Sequence, residues 1–124
     1  MSADNIHFFI HLRDQIKLYH WHTQVYARHI ATDKAIEDLD RLIDSYVEIY
    51  IGKYGRKKLN AAHGTMHIAN LTEPGAVRFI KAAIRYTEST LIKGLNKERD
   101  TDLINIRDEI IAALNQLLYL FTLH

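Results

Sequence analysis

Cysteine is absent from this chain of 124 residues, which excludes disulfide frameworks, thiolate metal sites and cysteine nucleophiles. Any metal must therefore be held by nitrogen and oxygen. Pro74 is the single proline, and the glycines are limited to Gly52, Gly55, Gly64, Gly75 and Gly94. With so few breakers and no alternation of β-branched residues, the chain reads as all-helical. No apolar run approaches a membrane span, and Met1 to Asn5 is too polar to open a signal peptide. Net charge is nearly absent too: a formal +1 argues against whole-molecule attraction to nucleic acid and leaves local patches open. The expectation is a cytoplasmic protein with no membrane contact.

Hydrophobic residues make up 48% of the sequence, enough for a single domain spanning residues 1–124. The first helix is expected to start near Ala3 to Asn5, capped by Asp4 or Asn5, with Phe9, Leu12, Ile16 and Tyr19 as its buried stripe. A second helix has Ile36, Leu39, Ile43, Tyr46, Val47 and Tyr50 on its inner face and ends in the glycine- and lysine-rich stretch from Gly52 to Lys58. No glycine or proline separates these two helices. Thr32 is the best local cap, and compactness requires a turn between Thr23 and Thr32.

Leu59 to Leu71 reads as a long connection, which at roughly 3.3 Å per residue could run along most of a bundle. Thr72 then caps a third helix with Glu73 and Pro74 in its first turn and the stripe Val77, Ile80, Ile84, Leu91 and Leu95. After a polar turn, Asp100 or Thr101 caps a fourth helix carrying Leu103, Ile106, Ile110, Leu114, Leu117 and Phe121. Its second stripe, Ile104, Ile111 and Leu118, suggests a further buried contact such as a homo-oligomer. Four helices with one longer crossover connection between the second and third make a four-helix bundle.

Chemistry concentrates between His20 and Glu48. Asp33, Glu37, Asp40, Asp44 and Glu48 form an acidic row on the second helix, where Asp44 and Glu48, one turn apart, can face one ion. His29 stands one turn before Asp33, and His20 and His22 flank Trp21. Imidazole and carboxylate without sulfur suit iron, manganese or zinc. Taken alone, each part has a plainer reading: a solvated acidic face that includes Glu37 and Asp40, a core histidine at His20 bonded to a carbonyl, and Trp21 and Tyr26 as packing.

The H-W-H stretch followed by His29-x3-Asp33-x10-Asp44-x3-Glu48 resembles the ferroxidase signature of the mini-ferritins, the Dps family of the ferritin-like superfamily. The likeness is concentrated in residues 16–56. It implies a ferritin-like bundle that binds and oxidises Fe(II) with peroxide or oxygen at a site between two subunits. His20, His29 and Asp33 would come from one chain, and Asp44 and Glu48 from its two-fold mate. The iron would be mononuclear or a di-iron pair, with zinc or manganese as substitutes. The residues agree with sharing: Glu88 and Glu109 are followed three positions on by Leu91 and Ala112, so no E-x-x-H pair exists in the later helices to finish a site within one chain. A homodimer or higher homo-oligomer is therefore the expected partner.

The gap between His20 and His29 is shorter than the family's pattern, and Met1 to Asn5 lacks lysine. Two other readings stay open: a non-catalytic bundle serving assembly, and a nucleic-acid-associated protein working through Lys53, Arg56, Lys57 and Lys58. The second is not favoured over a helix-end cluster facing a neighbour's acidic row.

Overall fold

The apolar stripes fold as their spacing predicts. In the computed structural model, which describes residues 3–124, α1 spans Ala3–His22 and buries Phe9, Leu12, Ile16 and Tyr19. Asp4 and Asn5, the expected caps, lie inside the helix instead. The Asn5 amide is buried, donating to the Leu91 carbonyl (3.3 Å) and accepting from the Tyr86 hydroxyl (2.5 Å). Asp4 accepts from His63 Nε2 at 2.6 Å.

The second helix, α2, spans Tyr26–Tyr54. At 1.5 Å per residue it is roughly 44 Å long. Ile36, Leu39, Leu42, Tyr46 and Tyr50 are buried along it, with Ile43 and Val47 packed at the edge. The turn from α1 is only Thr23, Gln24 and Val25, and no side chain caps α2. Thr32 is not the cap. It lies within α2, fully buried, and its hydroxyl donates to the Arg28 carbonyl at 2.7 Å. A threonine inside a helix spends its hydroxyl this way, on the turn before it. Gly55 ends α2 at φ +86°, a backbone state that favours glycine.

Between Gly55 and Thr72 the chain forms no helix, and its second half lies against α1. His7 Nε2 donates to the Thr65 carbonyl (2.9 Å) and His11 Nε2 to the His67 carbonyl (2.7 Å). The buried Gln15 amide donates to the Ala69 carbonyl (2.8 Å) and accepts from the Ala69 N–H (2.9 Å). The register is simple. Four residues of helix rise about 6 Å and two extended residues span about the same, so each turn of α1 meets every second residue of the strap. Replacing Gln15 with leucine strands both polar groups of Ala69, and the expected cost is about 1–3 kcal/mol. Urea unfolding checks it, with faster amide exchange at Ala69 as the local sign.

Thr72 caps α3, Glu73–Arg85, accepting from the Gly75 N–H at 3.0 Å. Ala76, Ile80, Ala83 and Ile84 are buried on it. The expected continuous helix through Leu95 gives way to a π turn, Tyr86–Thr90, in which the Leu91 N–H reaches back to the Tyr86 carbonyl, and residues 91–94 form a turn. Thr87 and Ser89 each bond the carbonyl four residues back, at 2.8 Å, which loosens the ladder there. After a turn at Gly94 (φ +84°), α4 spans Thr101–Leu120. Leu103, Ile110, Leu114, Leu117 and Phe121 are buried, while Ile104, Ile111 and Leu118 are half-buried.

Side-chain pairings fix the directions of the helices. Phe9 meets Tyr46 and Arg13 meets Asp40, so α1 and α2 are antiparallel. Phe8 stacks on Tyr86 and His11 meets Phe79 edge to face, so α3 opposes α1; Lys53 meets Asp102 and Lys34 meets Gln116, so α4 opposes α2. The result is an all-helical four-helix bundle, without strands among the described residues. No described helix is long and apolar enough to cross a membrane.

At the end of the bundle where α2 finishes, Asp100 acts as a clasp rather than as a side-chain cap. Its buried carboxylate accepts from the Tyr54 hydroxyl (2.5 Å), the Asn96 N–H (2.8 Å) and Lys53 Nζ (3.0 Å). These donors, Tyr54 first, lower its pKa from the ordinary 3.8 to about 2. A carboxyl held low in the folded chain contributes stability that is complete above its ordinary pKa and lost as pH falls through the folded value. Stability is thus expected to drop between about pH 4 and pH 2. Asp100→Asn should flatten that part of the curve while lowering stability at neutral pH, which thermal melts across pH will read. Nearby, burial and then the Asp100 charge push the Tyr46 hydroxyl up to about 12.

Candidate metal half-site at the turn between α1 and α2

The short turn folds the last residue pairs of α1 onto the first turn of α2. His20 and His29 stack face to face, with ring centroids 4.0 Å apart and planes 15° from parallel. Their bonding is reciprocal: His20 Nδ1 is 2.7 Å from the His29 carbonyl, and His29 Nδ1 is 2.9 Å from the His20 carbonyl. A carbonyl only accepts, so both Nδ1 atoms carry the hydrogen. In the neutral rings each Nε2 then presents a lone pair, the form in which imidazole ligates a metal. Neither Nε2 has a hydrogen-bond partner among the described residues. The Thr32 hydroxyl lies 2.9 Å from His20 Nδ1 and fixes the ring further. His20 is thus buried and carbonyl-bonded, with a donor-ready edge as well.

A second cluster holds this turn in place. Glu73, the first residue of α3, receives the hydroxyls of Tyr19 and Thr23, the latter at 2.9 Å. Arg28 adds an ion pair at 3.3 Å and donates to the Tyr19 hydroxyl (2.9 Å), the Glu73 carbonyl (2.8 Å) and the Phe121 carbonyl (3.4 Å). Its guanidinium lies 4.5 Å from the Phe121 ring centroid. Burial, reinforced by the bond to Glu73, raises the Tyr19 pKa. All four helices meet at this knot. In the sequence Glu73 reads as an acid complementing the helix dipole and Arg28 carries no signal, since no spacing links residues 28, 73 and 121.

The predicted carboxylates stand elsewhere on α2. Asp33 is exposed one turn beyond His29, whereas Asp44 and Glu48 are exposed fifteen and nineteen residues beyond it. On a continuous helix those intervals are roughly 22 and 28 Å. One chain therefore brings His20 and His29 together, with Asp33 a turn away, and holds Asp44 and Glu48 as a distant pair. Among the described residues no group of three or more such side chains could hold a metal ion within the chain. Asp44 lines an open groove of about 390 Å³ between α1 and α2 with Arg13, Asp40 and Ile43. Glu37 is exposed, and exposed Asp40 pairs with Arg13 at 3.1 Å.

Trp21 and Tyr26 do not pack as expected: they are 67% and 76% exposed, and Ile30 beside them is 51% exposed. The turn leaves their side chains exposed, with the Lys17 ammonium 5.2 Å from the centre of the Trp21 ring. An uncovered aromatic and aliphatic surface thus borders the two histidines.

A family model described as a family of unknown function, DUF5856, matches residues 20–121. The chain belongs to this family. No curated protein and no solved structure matches it. In this DUF5856 chain the matched span takes in both histidines, the acidic row and all members of the Arg28 knot except Tyr19.

Proposed function

We propose that this DUF5856 protein binds Fe(II) and oxidises it at a site assembled by two copies of the chain. His20 and His29 supply neutral nitrogen donors, Asp33 orients or completes that half, and Asp44 and Glu48 of the second copy supply the oxygens. The observation that carries the reading is the pair of Nδ1–carbonyl bonds, which leaves both Nε2 atoms as acceptors on one fixed turn. The donor set, nitrogen and oxygen without sulfur, suits iron, and manganese or zinc would compete for it. With peroxide as oxidant, two Fe(II) ions give up one electron each, the O–O bond breaks, and two protons complete two waters. The exposed Trp21, Tyr26 and Ile30 surface supports a second copy covering this turn. The experiment is iron loading under anaerobic conditions, then oxidation, in the wild type and in a variant carrying Asp44→Ala with Glu48→Ala.

A second reading is a bundle kept for assembly, in which the stacked histidines staple the turn and no metal enters. Its support is that the pair closes on protein groups alone at Nδ1. Iron retained by the wild type at well below one ion per two chains would favour it.

A further inference from the structure

The core leaves a gap beside the histidine turn. Between the four helices lies a cavity walled by Ile16 of α1, Thr32 of α2, Ala76 and Ile80 of α3, and Leu117 and Phe121 at the end of α4. All six residues are buried. Protein interiors pack as closely as organic crystals, so the wall of such a gap forgoes contacts that a guest of the right size restores. The free volume is about 10 Å³, room for a single guest no larger than a water or a diatomic gas. Ala76 is the smallest side chain of this wall, and a larger residue there would close the gap.

Water is a poor occupant of this space. A buried water needs about two to four polar partners, and the wall presents apolar atoms only. The two hydroxyl-bearing residues around it, Thr32 and Tyr19, are engaged elsewhere. Thr32 Oγ1 donates to the Arg28 carbonyl at 2.7 Å, while the Tyr19 hydroxyl donates to Glu73 and accepts from Arg28 at 2.9 Å. An apolar cavity without partners stays dry and takes up small apolar guests. Thr32 Oγ1 also lies 2.9 Å from His20 Nδ1, so the cavity wall and the imidazole share one side chain.

We infer that this cavity binds one molecule of dioxygen and holds it beside the histidine turn. Dioxygen is diatomic and apolar, and it asks nothing of the wall but contact. Peroxide, the other oxidant open to the iron site, has two O–H donors that this wall would leave unpaired. With dioxygen, two Fe(II) ions give up one electron each, and two protons complete one hydrogen peroxide. Uptake of the gas follows from the cavity alone, whereas its use as the oxidant rests on the iron reading.

The test is NMR of the metal-free full chain under pressurised dioxygen, with nitrogen at the same pressure as the blank. Dioxygen is paramagnetic and speeds the relaxation of nearby methyl groups. The methyls of Ile16, Ile80 and Leu117 should relax faster by about threefold or more than those of Leu91 and Leu103, which are equally buried but do not line the cavity. Ala76→Val fills the space and should remove that excess. Ile80→Val deletes one methylene from the wall and should increase it. Equal relaxation at the two sets of methyls in the wild type overturns the inference, as does an excess that Ala76→Val leaves unchanged. Should Ala76→Val fail to fold, an excess that does not grow in Ile80→Val overturns it. Iron oxidation then reads the use of the gas. In Ala76→Val the KM for dioxygen should rise about threefold or more while oxidation driven by peroxide stays at the wild-type rate, and an unchanged KM would overturn the role as oxidant store. Dioxygen uptake by a chain that oxidises no iron would sink the iron reading alone.

Discussion

Replacing Arg28 with alanine is expected to lower stability by about 3 kcal/mol, because the lost hydrogen bonds are charge-assisted and their acceptors are left partly buried. The Arg28 side chain is 13% exposed, and it serves the Tyr19 hydroxyl, the Glu73 carboxylate and carbonyl, and the last turn of α4 at Phe121. Glu73 is 39% exposed, so water screens part of the ion pair and holds the expected loss below that of a fully buried pair. For a domain of this size the melting temperature should fall by about 10 °C. Arg28→Lys should recover only part of this, since a single ammonium cannot occupy three directions at once. A melting temperature within a degree or two of the wild type for Arg28→Ala would mean that the knot does not hold the four helices together.

The same variant links stability to the site. Thr32 bonds the Arg28 carbonyl and lies beside His20, and His29 follows Arg28 directly. Loosening the arginine therefore loosens the turn on which the two imidazoles are stacked.

What the residues alone revealed was local. Phe9, Leu12, Ile16 and Tyr19 announce a buried face because burial and helix period leave the same spacing, and Thr72 announces a cap because Gly75 needs an acceptor three residues back. The turn after His22 gave no such signal. Without glycine or proline it rests on Thr23, Arg28 and Glu73, whose mutual bonds span 50 and 45 residues, and on the bond from Arg28 to Phe121, which spans 93. Thr32 misled for a related reason: a threonine caps a helix or back-bonds within one, and only tertiary position decides. The strap was legible as a connection but not as a bonded one. His7, His11 and Gln15 hold it through backbone carbonyls, which have no residue identity to read. The candidate ligands themselves were legible by spacing, and what the fold adds is the reciprocal Nδ1 bonding of His20 and His29.

The variant with Asp44→Ala and Glu48→Ala is expected to lose iron binding and oxidation while keeping its helix content, since both side chains are exposed and make no hydrogen bond among the described residues. Removing Asp44 and Glu48 from a shared site leaves two imidazoles with Asp33 as the only carboxylate, too few donors to hold Fe(II) against water. His20→Ala with His29→Ala should fail equally, though at some cost to stability because the stacked pair also closes the turn. Loss in both variants would fit a site within one chain as well. Only the roughly 22 Å between His29 and Asp44 on one helix argues against that.

Mixing the two inactive variants decides the matter. A two-fold dimer formed from one chain of each has a single intact site, the histidines of one facing the carboxylates of the other, while its second site lacks both halves. After subunit exchange, random pairing predicts that about a quarter of wild-type iron oxidation returns, from two preparations that have none alone. No recovery in a mixture shown to contain mixed dimers would contradict a site shared between two chains.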